Sequence, residues 1–148
     1  MLINNDFSRL NLHDSNIDNF ILNERFCVIH FDWGFLENYS EKGMKEGIVI
    51  TKIKMTVEGY KNEICQLNYT GTIGQKNKAS EFLNFSNEVV ENWYVIFKNQ
   101  SNETDKEFKI SGSYEHNSIL CWIDWSFNYE NVQITWESHV LHKDWLNN

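Results

Sequence analysis

Apolar and polar residues alternate with a period of two along most of this chain, and no proline interrupts the pattern. Successive side chains on a strand point to opposite faces, so such alternation requires half-buried β-strands. In Phe26–Trp33, Cys27, Ile29, Phe31 and Trp33 share the apolar face, leaving His30 and Asp32 on the other. Val49, Ile53, Met55 and Val57 oppose Lys52, Lys54 and Thr56, and Cys65, Leu67, Tyr69 and Ile73 repeat the pattern over Ile64–Ile73. Shorter runs place Trp93, Val95 and Phe97 inward, then Phe108, Ile110, Gly112 and Tyr114. Ile119 to Phe127 is the next inward-facing series, followed by Val132, Ile134 and Trp136.

With an opening strand over Ile17–Leu22, about eight strands result, spaced as in an antiparallel β-sandwich or open barrel of the mainly β class. The polar cluster Asn99–Asp105 reads as a hairpin loop, and Asn128–Asn131 as the turn of a final hairpin. One segment breaks the period: Phe82, Phe85 and Val89 suit one face of a short helix over Ser80–Asn92, with Ser80 as N-cap. No internal repeat, linker or composition shift divides residues 1–148, which predicts a single domain.

Aromatic residues are abundant, with 10 Phe, 6 Tyr and 6 Trp. Parity assigns Phe31, Trp33, Trp93, Phe97, Trp125, Phe127 and Trp136 to the core. It leaves Trp122 on the opposite face with Leu120 and Asp124, under a covering layer, in a ligand cavity or in an exposed patch. A formal charge of −8 disfavours nucleic acid and anionic membranes and favours a basic partner. Cys27, Cys65 and Cys121 lie in apolar runs without CxxC spacing and are expected as buried free thiols. No basic region followed by an apolar stretch opens the sequence and no run is long enough to span a membrane, so a cytoplasmic protein is expected, and the five glycosylation sequons are accidents of an Asn-rich composition.

The candidate sites are small. His13, Asp14 and Ser15 resemble the parts of a nucleophile relay, but neighbours on an extended chain point apart. The simpler expectation is that Asp14 or Ser15 shapes a turn while His13 packs under the sheet. No spacing among His13, Asp14, His30, Asp32, His116, His139 and His142 fixes a metal site, and no cofactor fingerprint is present. Asp32 and Asp124 would make an acid–base pair only on neighbouring strands.

Leu12-His13-Asp14-Ser15, followed by Ile17, Phe20 and His30-Phe31-Asp32-Trp33, resembles the start of a diffuse set of small bacterial all-β proteins, some of them immunity-like. The resemblance covers about the first 35 residues and transfers no catalytic residue. The resemblance implies a non-enzymatic protein that binds and blocks a toxin; the acidic charge makes a basic toxin domain the expected partner, and the strand pattern and residue chemistry, not the resemblance, put forward Trp122, Asp124, His30, Asp32, His13 and Asp14 as candidate binding residues. The alternatives are a β-barrel carrier of small apolar ligands and a hydrolase-like enzyme using His and Asp side chains.

Overall fold

A computed structural model describes residues 2–4, 7, 9–41, 44–69 and 80–146. In chain order the elements are β1 (Leu2–Asn4), β2 (Leu10–Asn11), β3 (Ile17–Leu22), β4 (Phe26–Glu41), β5 (Met44–Glu58), β6 (Lys61–Asn68) and β7 (Glu81–Leu83). Helix α1 (Asn87–Asn92) precedes β8 (Trp93–Asn102), β9 (Glu107–His116), β10 (Ile119–Asn128), β11 (Asn131–Thr135), β12 (Ser138–Leu141) and α2 (His142–Trp145). The strands form two antiparallel sheets. One has the order β1-β11-β5-β4-β2, with β12 also on β5 and β3 on β4; the other has the order β7-β6-β10-β9-β8. One apolar core lies between them and draws Ile29, Phe31, Met55, Leu67, Trp125 and Phe127 from the two sheets.

The eight expected strands are present, although the expected end of the fourth, Thr70–Ile73, lies outside the described residues. All three cysteines are buried free thiols. Burial, with a further push from the Glu63 carboxylate, raises the Cys27 and Cys65 thiols to about 12. Glu63 stands between the sheets, where its Oε1 accepts bonds from the Trp125 indole at 3.2 Å and the Phe85 amide at 3.1 Å.

Three expectations are corrected. The run from Ile119 to Trp136 is not a hairpin, because β10 pairs with β6 and β9 while β11 pairs with β5 and β1. The chain crosses between sheets at Tyr129 and Glu130, whose amides donate to Lys106 in one sheet's loop and Glu58 at the end of β5 in the other. The helix starts later than Ser80: α1 is capped by Ser86, whose hydroxyl accepts from the Val89 amide, and Glu81–Leu83 instead adds an edge strand to β6. Phe82, opposite Gln66, is 71% exposed.

The third correction concerns which aromatics face inward. Phe31, Trp93, Trp125, Phe127 and Trp136 are buried, but Trp33 is half-buried and Phe97 is exposed. Along β4 the inward set runs Cys27, Ile29, Phe31 and then changes parity to Leu36. Its partner β5 steps at the same level, from Ile53 to Ile50 and Ile48, which leaves Val49 buried but outside the shared core. Both steps are built from local chemistry. Lys52 adopts a left-handed backbone, φ 52°, and the Asp32 carboxylate accepts the Trp33 and Asn16 amides at 2.8 Å each, so Trp33 turns to the outer face.

In β8 the pairing with β9 slips twice, between Trp93 and Val95 and between Ile96 and Lys98. These irregularities put Trp93 and Ile96 inward and Phe97 outward. Gly112 is required at this level. A Cβ there would sit 2.0 Å from the Val95 carbonyl oxygen and 2.6 Å from the Trp93 indole nitrogen, which itself donates to that carbonyl at 3.1 Å.

Candidate functional site

The outer face of the five-stranded sheet carries the first group of candidate residues. On β10 the alternation buries Cys121, Ile123 and Trp125, so Leu120, Trp122 and Asp124 project outward. Directly opposite residues on antiparallel strands share a face. Trp122 therefore lies between Asn68 of β6 and Ser113 of β9, and Asp124 between Gln66 and Ser111. Phe97 stacks on Trp122, with ring centroids 5.4 Å apart and planes 27° apart. Lys98 Nζ lies 5.9 Å from the Trp122 ring centre.

Asp124 fixes the indole beside it. Its Oδ1 accepts from Trp122 Nε1 at 3.0 Å and from the Ser111 hydroxyl, and it lies 3.7 Å from Lys109 Nζ. A Trp held by its N–H and by a stacked ring loses little further rotamer freedom when a partner covers it. Neither helix packs substantially on β10, and Phe82, Ile64, Leu120 and Phe97 are exposed on the same side. Among the described residues, Trp122 thus belongs to an open aromatic and apolar ledge.

His13, Asp14 and Ser15 do different work from one another. Expected under the sheet, His13 is instead exposed. Its Nδ1 is 2.7 Å from the Phe97 carbonyl, which can only accept, so Nδ1 carries the hydrogen. Nε2 faces Asp14 Oδ2 at 3.5 Å. Asp14 holds a left-handed backbone, φ 64°, which an Asp tolerates; this local turn, rather than extended chain, is what brings the two side chains together. Ser15 is fully buried, and its hydroxyl donates to the Trp33 carbonyl at 2.6 Å. A nucleophile relay is therefore absent for a reason beyond the one expected: the hydroxyl is committed to the backbone of β4.

This segment staples the two sheets. The Asp14 amide donates to the Ile96 carbonyl and the Ile96 amide to the Ser15 carbonyl, 2.8 and 2.9 Å. Asn99 completes the staple, accepting from the Leu12 amide and donating to the Leu10 carbonyl. The Trp33 indole reaches the Asp14 carbonyl at 3.3 Å. His13 and Asp14 thus sit at the rim of the Phe97–Trp122 ledge.

His30 and Asp32 are elsewhere. They belong to β4 in the seven-stranded sheet, whereas Asp124 belongs to β10 in the other, so Asp32 and Asp124 are not on neighbouring strands and form no acid–base pair. Asp32 is tied to Asn16 through both carboxylate oxygens. His30 lines an open cleft of about 400 Å³ with Asp18, Lys52, Lys54 and Glu137. Partial burial and then the nearby Asp32 charge raise the Asp18 carboxyl, with His30 opposing. Among the described residues, no group of three or more His, Cys, Asp or Glu side chains is placed to hold a metal ion, and no helix is long and apolar enough to cross a membrane.

Residue-by-residue parity missed Phe97 and Trp33 as outward aromatics. The signals were present: a glycine in mid-strand at position 112 marks a close backbone approach, and an aspartate before Trp33 offers its carboxylate to the following amide. Comparison with known proteins found no matching family model, no matching curated protein and no matching solved structure.

Proposed function

We infer that this chain is a non-enzymatic protein-binding domain, an immunity-type inhibitor acting in the cytoplasm, which seats a basic toxin domain on the outer face of its five-stranded sheet. The observation that carries the reading is the open Phe97–Trp122 stack, with Asp124 locking the indole. Interface hot spots are rich in Trp and cluster around desolvated aromatic anchors. The ledge itself mixes Asp124 and Glu115 with Lys98 and Lys109. Its attraction for a basic partner therefore comes from the overall charge of −8, which speeds encounter, while the aromatic stack slows release. The early Leu-His-Asp-Ser phrase supports the same class, and the three buried thiols suit a reducing compartment.

The test is co-purification with the product of the adjacent gene, followed by affinity measurement at several salt concentrations. Trp122→Ala is expected to weaken the complex about 30-fold, the equivalent of about 2 kcal/mol, mainly through faster dissociation. Added salt should slow association in both proteins. A neighbouring product without a toxin-like domain, no complex, or a Trp122→Ala variant that binds as well as its parent would count decisively against the proposal.

A further inference from the structure

The cleft beside His30, about 400 Å³, has the size of small-molecule sites, roughly 300–1,000 Å³, and the strands beneath it place its polar groups in a row. Ile29, Phe31, Ile53, Met55 and Ile134 face the core, so His30, Lys54 and Thr135 next to them project outward. Thr135 lies opposite Lys54, Lys54 opposite His30, and His30 opposite Asn19. Directly opposite residues share a face, so the four side chains line up across β11, β5, β4 and β3. Asp18 ends the row. The register slips between Ile17 and Asn19, and a bulge of this kind re-aims a side chain, here into the cleft.

The charges in the cleft are held apart. Lys52 is taken up by Glu137 at 3.0 Å, and the nearby Asp32 by Asn16 and the Trp33 amide. Among the described residues, Lys54 and Asp18 form no ion pair with each other or with a third group. Partial burial and the Asp32 charge disfavour the Asp18 carboxylate, against the pull of His30, so the fold leaves this charge under-compensated. With β4 between β5 and β3, and strands about 4.8 Å apart, Lys54 and Asp18 stem from positions about 10 Å apart. His30 stands between them and can donate from a ring nitrogen. With three carboxylates, two ammonium groups and His30 around it, a ligand of single charge meets a like charge as well as its opposite.

We propose that this cleft is a binding site for a short-chain zwitterion, its ammonium group beside Asp18 and its carboxylate between Lys54 and His30. An amino acid with its two charges a few methylenes apart suits this spacing and compensates both unpaired charges at once. Neither half of such a molecule does. The site lies on the seven-stranded sheet, apart from the docking ledge on the other, and does not depend on the inhibitor reading.

The experiment titrates the full chain at constant pH with γ-aminobutyrate, butyrate and butylammonium, and follows the His30 ring and the Asn19 and Thr135 amide signals by NMR. The zwitterion is expected to shift them saturably with millimolar affinity, as suits so small a ligand. Butyrate and butylammonium, each lacking one of its charges, should bind at least about 10-fold more weakly, about 1.4 kcal/mol. Asp18→Asn removes a charge that the fold disfavours and should leave the fold intact; it is expected to weaken γ-aminobutyrate about 10-fold and leave butyrate unchanged. Lys54→Gln, an exposed substitution, should weaken γ-aminobutyrate by as much and leave butylammonium unchanged. The proposal is overturned if γ-aminobutyrate produces no saturable shift, if either half-ligand binds as tightly, or if Asp18→Asn or Lys54→Gln binds like the parent.

Discussion

Both sheets turn an aromatic outward at an irregular strand position, and they treat it differently. In the seven-stranded sheet, Trp33 leaves the core at the Asp32 step and is covered from within, by Trp145 of α2. In the five-stranded sheet, Phe97 leaves the core at the β8 irregularity and, among the described residues, stacks on Trp122, itself on the outer face. The first is a half-buried aromatic backed by the chain's own short helix α2. The second is an aromatic pair, its Trp122 half-buried, that is stiffened but carries no helix among the described residues. Trp33 and Trp122 are both half-buried, but apolar surface gains from being covered in either place, so the pair that no helix among the described residues packs on is the better mark of an external partner.

The largest effect is expected at Gly112, which sets the β8 irregularity. A methyl group there collides with the Val95 carbonyl, so Gly112→Ala should cost about 3 kcal/mol and lower the thermal midpoint by on the order of 10 °C. Circular dichroism would measure it, and an unchanged midpoint would mean that the β8 irregularity does not depend on this contact. A smaller effect is expected at the covered aromatic. Trp145→Ala removes one ring of a stacked pair and should cost about 1 kcal/mol, shifting the Trp33 indole signal but not that of Trp122. If both signals move together, the two outward aromatics are not independent.

The smallest effect tests the cleft beside His30. The Asp18 carboxyl is raised in the fold, so the folded state prefers its protonated form; that contribution is fully present below its ordinary value of 3.8 and is lost as pH rises through the folded value. Asp18→Asn, permanently neutral, should therefore be at least as stable as the parent at pH 7, with the difference shrinking towards pH 3. A variant clearly less stable than the parent at pH 7 would show that the Asp18 charge is favourable where it stands.

Much of the fold was legible because alternation reports which side chains are buried. It predicted the eight principal strands, the buried thiols and most of the core aromatics. Its blind spot is extrapolation across an irregularity: one step at Asp32 moved Trp33 to the other face, and the shifts in β8 did the same to Phe97. Alternation is also silent about partners. Ile119–Phe127 and Val132–Trp136 have the pattern of a hairpin, yet the tertiary amide contacts of Tyr129 and Glu130 send the two strands into different sheets. Of the candidate site, Trp122 and Asp124 were legible by parity. The contribution of His13 and Asp14 was not, since it depends on backbone bonds to β8, a strand more than 80 residues away.

The crossing at Tyr129 and Glu130 also sets an order on how the molecule can be made. The strand β11 that it delivers pairs with β1, Leu2 opposite Thr135, and also with β5. During synthesis β1 must therefore wait until β11 has been made before this neighbour exists. Contacts this distant in sequence slow folding, and until they form, the β5 edge that β11 and β12 will cover is an unpaired template for other chains. The strands that cover β5, namely β11 and β12, are thus made long after β5 itself.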